Sequence, residues 1–183
     1  ALLLRLRIGA LRKIPLKYSI GGSALFARRW EKLSSFRPDA HLHTCHFETS
    51  ALLTFTSGST GQPKAAVRSH GLLLAQRTAL KDALHLEAGQ IDLTTLPIFL
   101  LANLASGVCS IIPHADLRHP GQINPIPILK QIETHHPQST VASPAFLERI
   151  ADHCLANKMI LSSFQRIFTG GAPVFPKLMR KLK

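Results

Sequence analysis

Apolar runs separated by polar breaks recur along most of this chain, and their spacing predicts its elements. From residue 51, "ALLTF" is a short continuous apolar run of the kind a buried strand shows, and "AAVR" at 65–68 predicts a second short strand. Ser69 is placed as the N-cap of "HGLLLAQRTALKDALHL", where Leu73, Leu80 and Leu84 fall at helical spacing and Gly89 is the expected stop. "DLTTLP" then reads as a strand, "LLANLASG" as a small-residue helix and "VCSIIP" as an apolar strand. In "INPIPILKQIETHH" the residues Ile128, Leu129 and Ile132 predict a helix with its prolines near the start, where they are tolerated. "STVAS" is a further strand, "PAFLERIADHCLANK" a helix opened by Ser143 and Pro144, and "FQRIFTGGAP" a strand that runs into a glycine pair. Strands alternating with helices predict an α/β fold, a mostly parallel sheet with flanking helices.

Residues 1–47 lack that texture. They read as a basic, weakly patterned, partly helical segment, ending in the turn-rich surface connection "SSFRPDAHLHTCHFETS". The expected organisation is therefore 1–47 as one segment and 48–183 as the α/β part. Hydrophobic residues make up 45% of the 183, which excludes general disorder. No apolar run is long enough to span a bilayer, and the arginine-broken start is a poor signal peptide. The first residue is not Met and "LMRKLK" completes no evident element, so a piece of a longer protein is expected.

Charge changes the picture at one end only. Of a net +12, residues 1–37 carry nine basic side chains against Glu31 alone. With Leu3, Leu4, Ile8 and Leu11 between them, those charges suit an anionic membrane surface, a nucleic acid, or packing against the rest of a larger domain. No aromatic interleaving or nucleic-acid motif favours the second. Cys45, Cys109 and Cys154 are odd in number and widely spaced, as in a reducing compartment, and a cytoplasmic protein is expected. His41, His43, Cys45 and His46 match no standard zinc spacing and read as a polar surface loop.

The strongest chemical signal is "TFTSGSTGQPK" at 54–64. Backbone N–H groups of Gly58 and Gly61 in a turn form a concavity for anions, and the hydroxyls of Thr56, Ser57, Ser59 and Thr60 add donors. Lys64 adds a compact cation suited to phosphate. The stretch is a phosphate cradle, yet not the common P-loop: counting from Gly58, the second glycine position holds Pro63, and Ala65 supplies no hydroxyl after the lysine. Ser57 is no hydrolase nucleophile either, because G-x-S-x-G is absent around it.

"TFTSGSTGQPKAAVRSHG" resembles the phosphate-loop signature of the acyl-adenylate-forming (AMP-binding) enzymes, which include acyl-CoA synthetases, luciferases and peptide-synthetase adenylation domains. Ala65 departs from the family's usual glycine. "LPIF" at 96–99 with Gly107 beyond it resembles the next family motif, near the carboxylate substrate, although Leu100 stands where an aromatic or histidine is common. "FTGGAPVFP" at 168–176 resembles the segment beside adenine and the acyl pocket. In texture the chain is most similar to the branch holding fatty acyl-CoA ligase-like proteins and olefin β-lactone synthetases.

The resemblance implies part of the N-terminal domain of an ATP-dependent ligase that converts a hydrophobic, fatty carboxylic acid to acyl-AMP with release of pyrophosphate, and on to an acyl-CoA or a β-lactone. It implies phosphate contacts from Thr56, Ser57, Gly58, Ser59, Thr60, Gly61 and Lys64, an adenine and acyl wall from Gly170, Gly171, Ala172 and Pro173, and acyl contacts from Phe99, Leu100 and Leu101. ATP and Mg2+ are the implied cofactors, with CoA as a further substrate. The magnesium ligand and the catalytic residues belong to family motifs later than this chain reaches, so the isolated chain is expected to be inactive. The alternative is a non-catalytic nucleotide- or anion-binding module whose basic segment, residues 1–37, touches the membrane periphery.

Overall fold

The computed structural model describes residues 13–22, 27–57 and 63–183. By contacts the chain divides into two compact units, Ala1–Thr44 and Cys45–Lys183.

In the first unit, two-residue strands β1 (Tyr18–Ser19) and β2 (Arg28–Arg29) pair in parallel, and a 3-10 helix, Trp30–Ser35, follows. Tyr18 and Trp30 meet edge to face with centroids 6.1 Å apart. Residues 36–46 run without regular structure and exposed, as the turn-rich reading expected.

The second unit opens with an antiparallel hairpin, β3 (Ser50–Ser57) and β4 (Pro63–Ser69), in register from Leu52↔Arg68 to Ser57↔Pro63. "ALLTF" is a strand, as its apolar run predicts, but it is not buried: Leu53 is 56% and Phe55 71% exposed. An apolar run reports a preference for burial without supplying the partner, and a two-stranded ribbon leaves one face open. Helix α1 (His70–Leu84) follows at once, capped by Ser69, whose Oγ accepts from the Leu72 N–H at 3.2 Å. It stops before Gly89, because His85 takes the left-handed conformation (φ 52°) and closes the last turn on the Lys81 carbonyl.

The remaining strands and α-helices are β5 (Ile91–Thr94), α2 (Pro97–Ser106), β6 (Cys109–Ile111), α3 (Pro125–His135), β7 (Ser139–Ala142), α4 (Pro144–Ala156), β8 (Arg166–Thr169) and α5 (Pro176–Lys181). The strands form one fully parallel sheet in the order β6-β5-β7-β8. Alternation along each strand gives the sheet two buried faces. Leu93 points to the side where Ile128, Leu129 and Ile132 of α3 pack with Phe146, Leu147 and Ile150 of α4. Val141 points to the other, against Leu84, Ala102 and Val108, with Phe99 and Phe168 at its margin. Helices on both faces of a parallel sheet make a doubly wound arrangement, and the alternation predicts its parallel sheet and flanking helices.

Candidate functional site

In a doubly wound sheet a crevice opens at the carboxyl ends of two neighbouring strands whose onward connections run in opposite lateral directions. Here those strands are β5, which leads to β6 on one side, and β7, which leads to β8 on the other. The Thr95 hydroxyl, buried just beyond β5, donates to the Val141 carbonyl of β7 at 2.8 Å and ties the two strands at this point. Immediately after it, Leu96 and Pro97 start α2, with proline in the first turn where its missing N–H costs nothing.

Two of the sequence-predicted segments meet this edge. Phe99, Leu100 and Leu101 form the opening turn of α2, after β5. Gly170–Pro173 follow the end of β8, two strands across, or roughly 10 Å at the usual strand spacing. Gly171 has φ +80°, a conformation that an L side chain adopts only with strain, and a Cβ on either Gly170 or Gly171 would meet nothing. The turn is thus an open ledge. The neighbouring Thr169 hydroxyl is buried without a hydrogen-bond partner.

Phe99, Leu100 and Leu101 do not share a face, because successive helical residues point about 100° apart. Phe99 turns to the sheet cluster with Val108 and Val141, whereas Leu101 lines a cleft between α1 and α2 with Leu73, Leu80 and Ile98.

At the tip of the hairpin, Thr56 and Lys64 are register partners and Ser57 faces Pro63. Lys64 is exposed. Of Thr56 and Ser57 the backbone alone is described, and Gly58, Ser59, Thr60 and Gly61 lie outside the described residues. Lower on the ribbon, the Arg68 guanidinium donates to Thr54 Oγ1 across the two strands.

Among the described residues no group of three or more His, Cys, Asp and Glu side chains is gathered as a metal ion requires. These residues do not by themselves make a magnesium site.

Sequence reasoning missed a buried polar cluster beneath the same edge. The Asp92 carboxylate, 2% exposed, accepts from Thr94 Oγ1 at 2.6 Å and Asn103 Nδ2 at 3.1 Å on one oxygen, and from Ser139 Oγ at 2.7 Å on the other. An asparagine inside the otherwise apolar "LLANLASG" helix was the available signal, since a buried amide needs partners.

The comparisons with known proteins agree with this architecture. The AMP-binding enzyme family matches residues 17–183, which takes in part of the basic segment. The olefin beta-lactone synthetase of Stenotrophomonas maltophilia is 35% identical over 136 residues, 74% of this chain and 24% of that protein. The indoleacetate–CoA ligase of Aromatoleum aromaticum is 31% identical over 137 residues, 74% of this chain and 27% of its own length. Among solved structures, the luciferase-like enzyme of the mealworm Zophobas morio superposes with a TM-score of 0.70 at 20% identity, over 89% of this chain and 39% of that one. The chain spans about a quarter of the length of the curated relatives it matches. With the family matched over most of the sequence and a parallel sheet whose carboxyl edge carries both motif turns, the chain belongs to the AMP-binding enzymes.

Proposed function

We propose that this chain supplies the ATP- and acid-binding part of a ligase that activates a hydrophobic, fatty carboxylic acid. One carboxylate oxygen attacks the α-phosphorus of ATP, the bond from that phosphorus to the β-bridging oxygen breaks, and pyrophosphate leaves with the electron pair. Chemistry of this kind depends on positioning and on neutralising charge. The hydroxyls of Thr56, Ser57, Ser59 and Thr60, the N–H groups of Gly58 and Gly61, and Lys64 hold the β- and γ-phosphates. Gly170, Gly171, Ala172 and Pro173 offer adenine a wall without side-chain bulk, and the turn of Phe99, Leu100 and Leu101 meets the acyl chain with one of its faces. Residues 48–183 form the working part of the AMP-binding domain. The residues that would hold Mg2+, which would neutralise phosphate charge, lie outside those described, and the isolated chain is inactive.

The observation that carries this reading is the shared carboxyl edge: the turn after β5 and the glycine pair after β8 flank the switch point of one parallel sheet. Relatives named as a β-lactone synthetase and as a CoA ligase support a fate for the adenylate as lactone or thioester. Carboxylate-dependent ATP–pyrophosphate exchange by the protein at its natural length, across a chain-length series of plain and 3-hydroxy fatty acids, tests it. Exchange that requires a long acid supports the reading, and ATP binding without exchange for any acid sinks it.

A second reading, a nucleotide-binding module at the membrane periphery of the cytoplasm, draws on the first unit. There Ile20, Trp30 and Phe36 are exposed among Arg28, Arg29 and Lys32. Among the described residues no helix is long and apolar enough to cross a membrane. Co-sedimentation with anionic vesicles, lost in high salt, is its signature.

A further inference from the structure

The cluster around Asp92 joins four elements. Asn103 of α2 reaches Asp92 and Thr94 of β5 and, at 3.0 Å, Ser110 Oγ of β6, while Ser139 binds Asp92 from β7. Asn103 is 1% exposed and lies four residues after Phe99, so both stand on the sheet-facing side of the helix with Ala102 and Ser106. The rest of that face is small or apolar, and among these side chains Asn103 alone hydrogen-bonds to the sheet. A roll of one residue, about 100°, would exchange Phe99 for Leu100 at the sheet. The roll would also strip a donor from a buried carboxylate, which needs every bond it has.

We propose that Asp92 and Asn103 are positioning residues for the acid: their buried carboxylate–amide contact fixes the rotation of α2, and so which side chains of its first turn meet the substrate. This rests on the adenylation reading for its substrate half and on the geometry alone for its anchoring half. The contact acts on the acid and not on ATP, because α2 carries neither the phosphate cradle nor the adenine ledge. Because that rotation decides which of Phe99 and Leu100 packs at the sheet and which is left to face the acid, it also sets chain-length preference.

The test uses the natural-length protein with Asn103→Leu, Asn103→Asp and the exchanged pair Asp92→Asn with Asn103→Asp. Acid and ATP KM values are read in pyrophosphate exchange, and hydrogen exchange is followed at the amides of residues 98–106. Asn103→Leu should raise the acid KM about tenfold to a hundredfold, as displaced reactants do, flatten the chain-length profile and leave the ATP KM within about twofold. Its α2 amides should exchange faster.

Asn103→Asp places two carboxyl groups against each other, which must share a proton. Its acid KM should therefore approach the wild-type value at low pH and climb as pH rises. That variant decides the matter if Asn103→Leu fails to fold. The exchanged pair restores one donor facing one carboxylate and should recover most of the loss. Acid and ATP KM rising together, or an exchanged pair no better than the single variants, overturns the proposal. Wild-type protein without exchange sinks the adenylation reading and the substrate half, whereas unchanged α2 protection in Asn103→Leu sinks the anchor itself.

Discussion

At the scale of single residues, the proposed phosphate contact of Lys64 and the backbone conformation of Gly171 can each be tested alone. Lys64 is exposed at the hairpin tip, so Lys64→Ala should leave the melting temperature unchanged. A charge-assisted bond to phosphate contributes about 1.5–3 kcal/mol, so the same change should raise the ATP KM about tenfold to a hundredfold in pyrophosphate exchange. Gly171→Ala meets no neighbour but must hold φ near +80°. It should cost about 1–2 kcal/mol of stability through backbone strain alone, read by chemical denaturation. The pattern around Lys64 stands out in the sequence because its loop is contiguous and dense in glycine and hydroxyl residues. Asp92 was not, because two of its partners, Asn103 and Ser139, stand 11 and 47 residues away. Only folding brings such donors together, and a lone Asp in "IDLT" carries no trace of them.

Helices and strands were legible wherever local chemistry decides them. Ser143 caps α4, its Oγ accepting from the Phe146 N–H at 3.4 Å, and Ser143→Ala should lower stability by about 1 kcal/mol. The end of α1 was harder to read, since His85 takes the left-handed conformation that glycine usually supplies, as His136 does after α3. His136→Gly should therefore raise stability by about 1 kcal/mol, or roughly 2–4 °C in Tm.

Helix α5 is held to α4 through Lys181, whose Nζ lies 2.5 Å from Asp152 and 2.8 Å from Glu148. The bonds to Asp152 first, then Glu148, push the Lys181 ammonium above its ordinary value. A raised pKa contributes stability that is complete below the unfolded value, about 10.4, and is lost as pH climbs through the folded one. The stability difference between wild type and Lys181→Met should then hold constant from neutral pH to about 9 and shrink in stronger alkali.

For the molecule as a whole, the parallel sheet emerged from the sequence because its strands alternate with helices, whereas the setting of the hairpin did not. Leu53 and Val67 are register partners and, with Phe55, leave large apolar side chains in solvent at 56%, 61% and 71% exposure. Periodicity tells which residues seek cover, not which surface supplies it. Exposed patches of this kind promote association. The 183-residue chain should bind a hydrophobic dye and self-associate in light scattering, and Phe55→Thr with Val67→Thr should weaken both.

Sheet order also sets a timetable for synthesis. Asp92 of β5 pairs with Ser139 of β7, 47 residues later, although β6 is made between them. At about 5–20 residues per second, a ribosome takes about 2–9 seconds to deliver the second neighbour of the central strand. Until then the nascent chain carries a half-paired strand and a carboxylate short of one donor. Codons between residues 112 and 138 are thus where slowed translation should most prolong chaperone contact, and where faster translation should most improve the yield of folded chain.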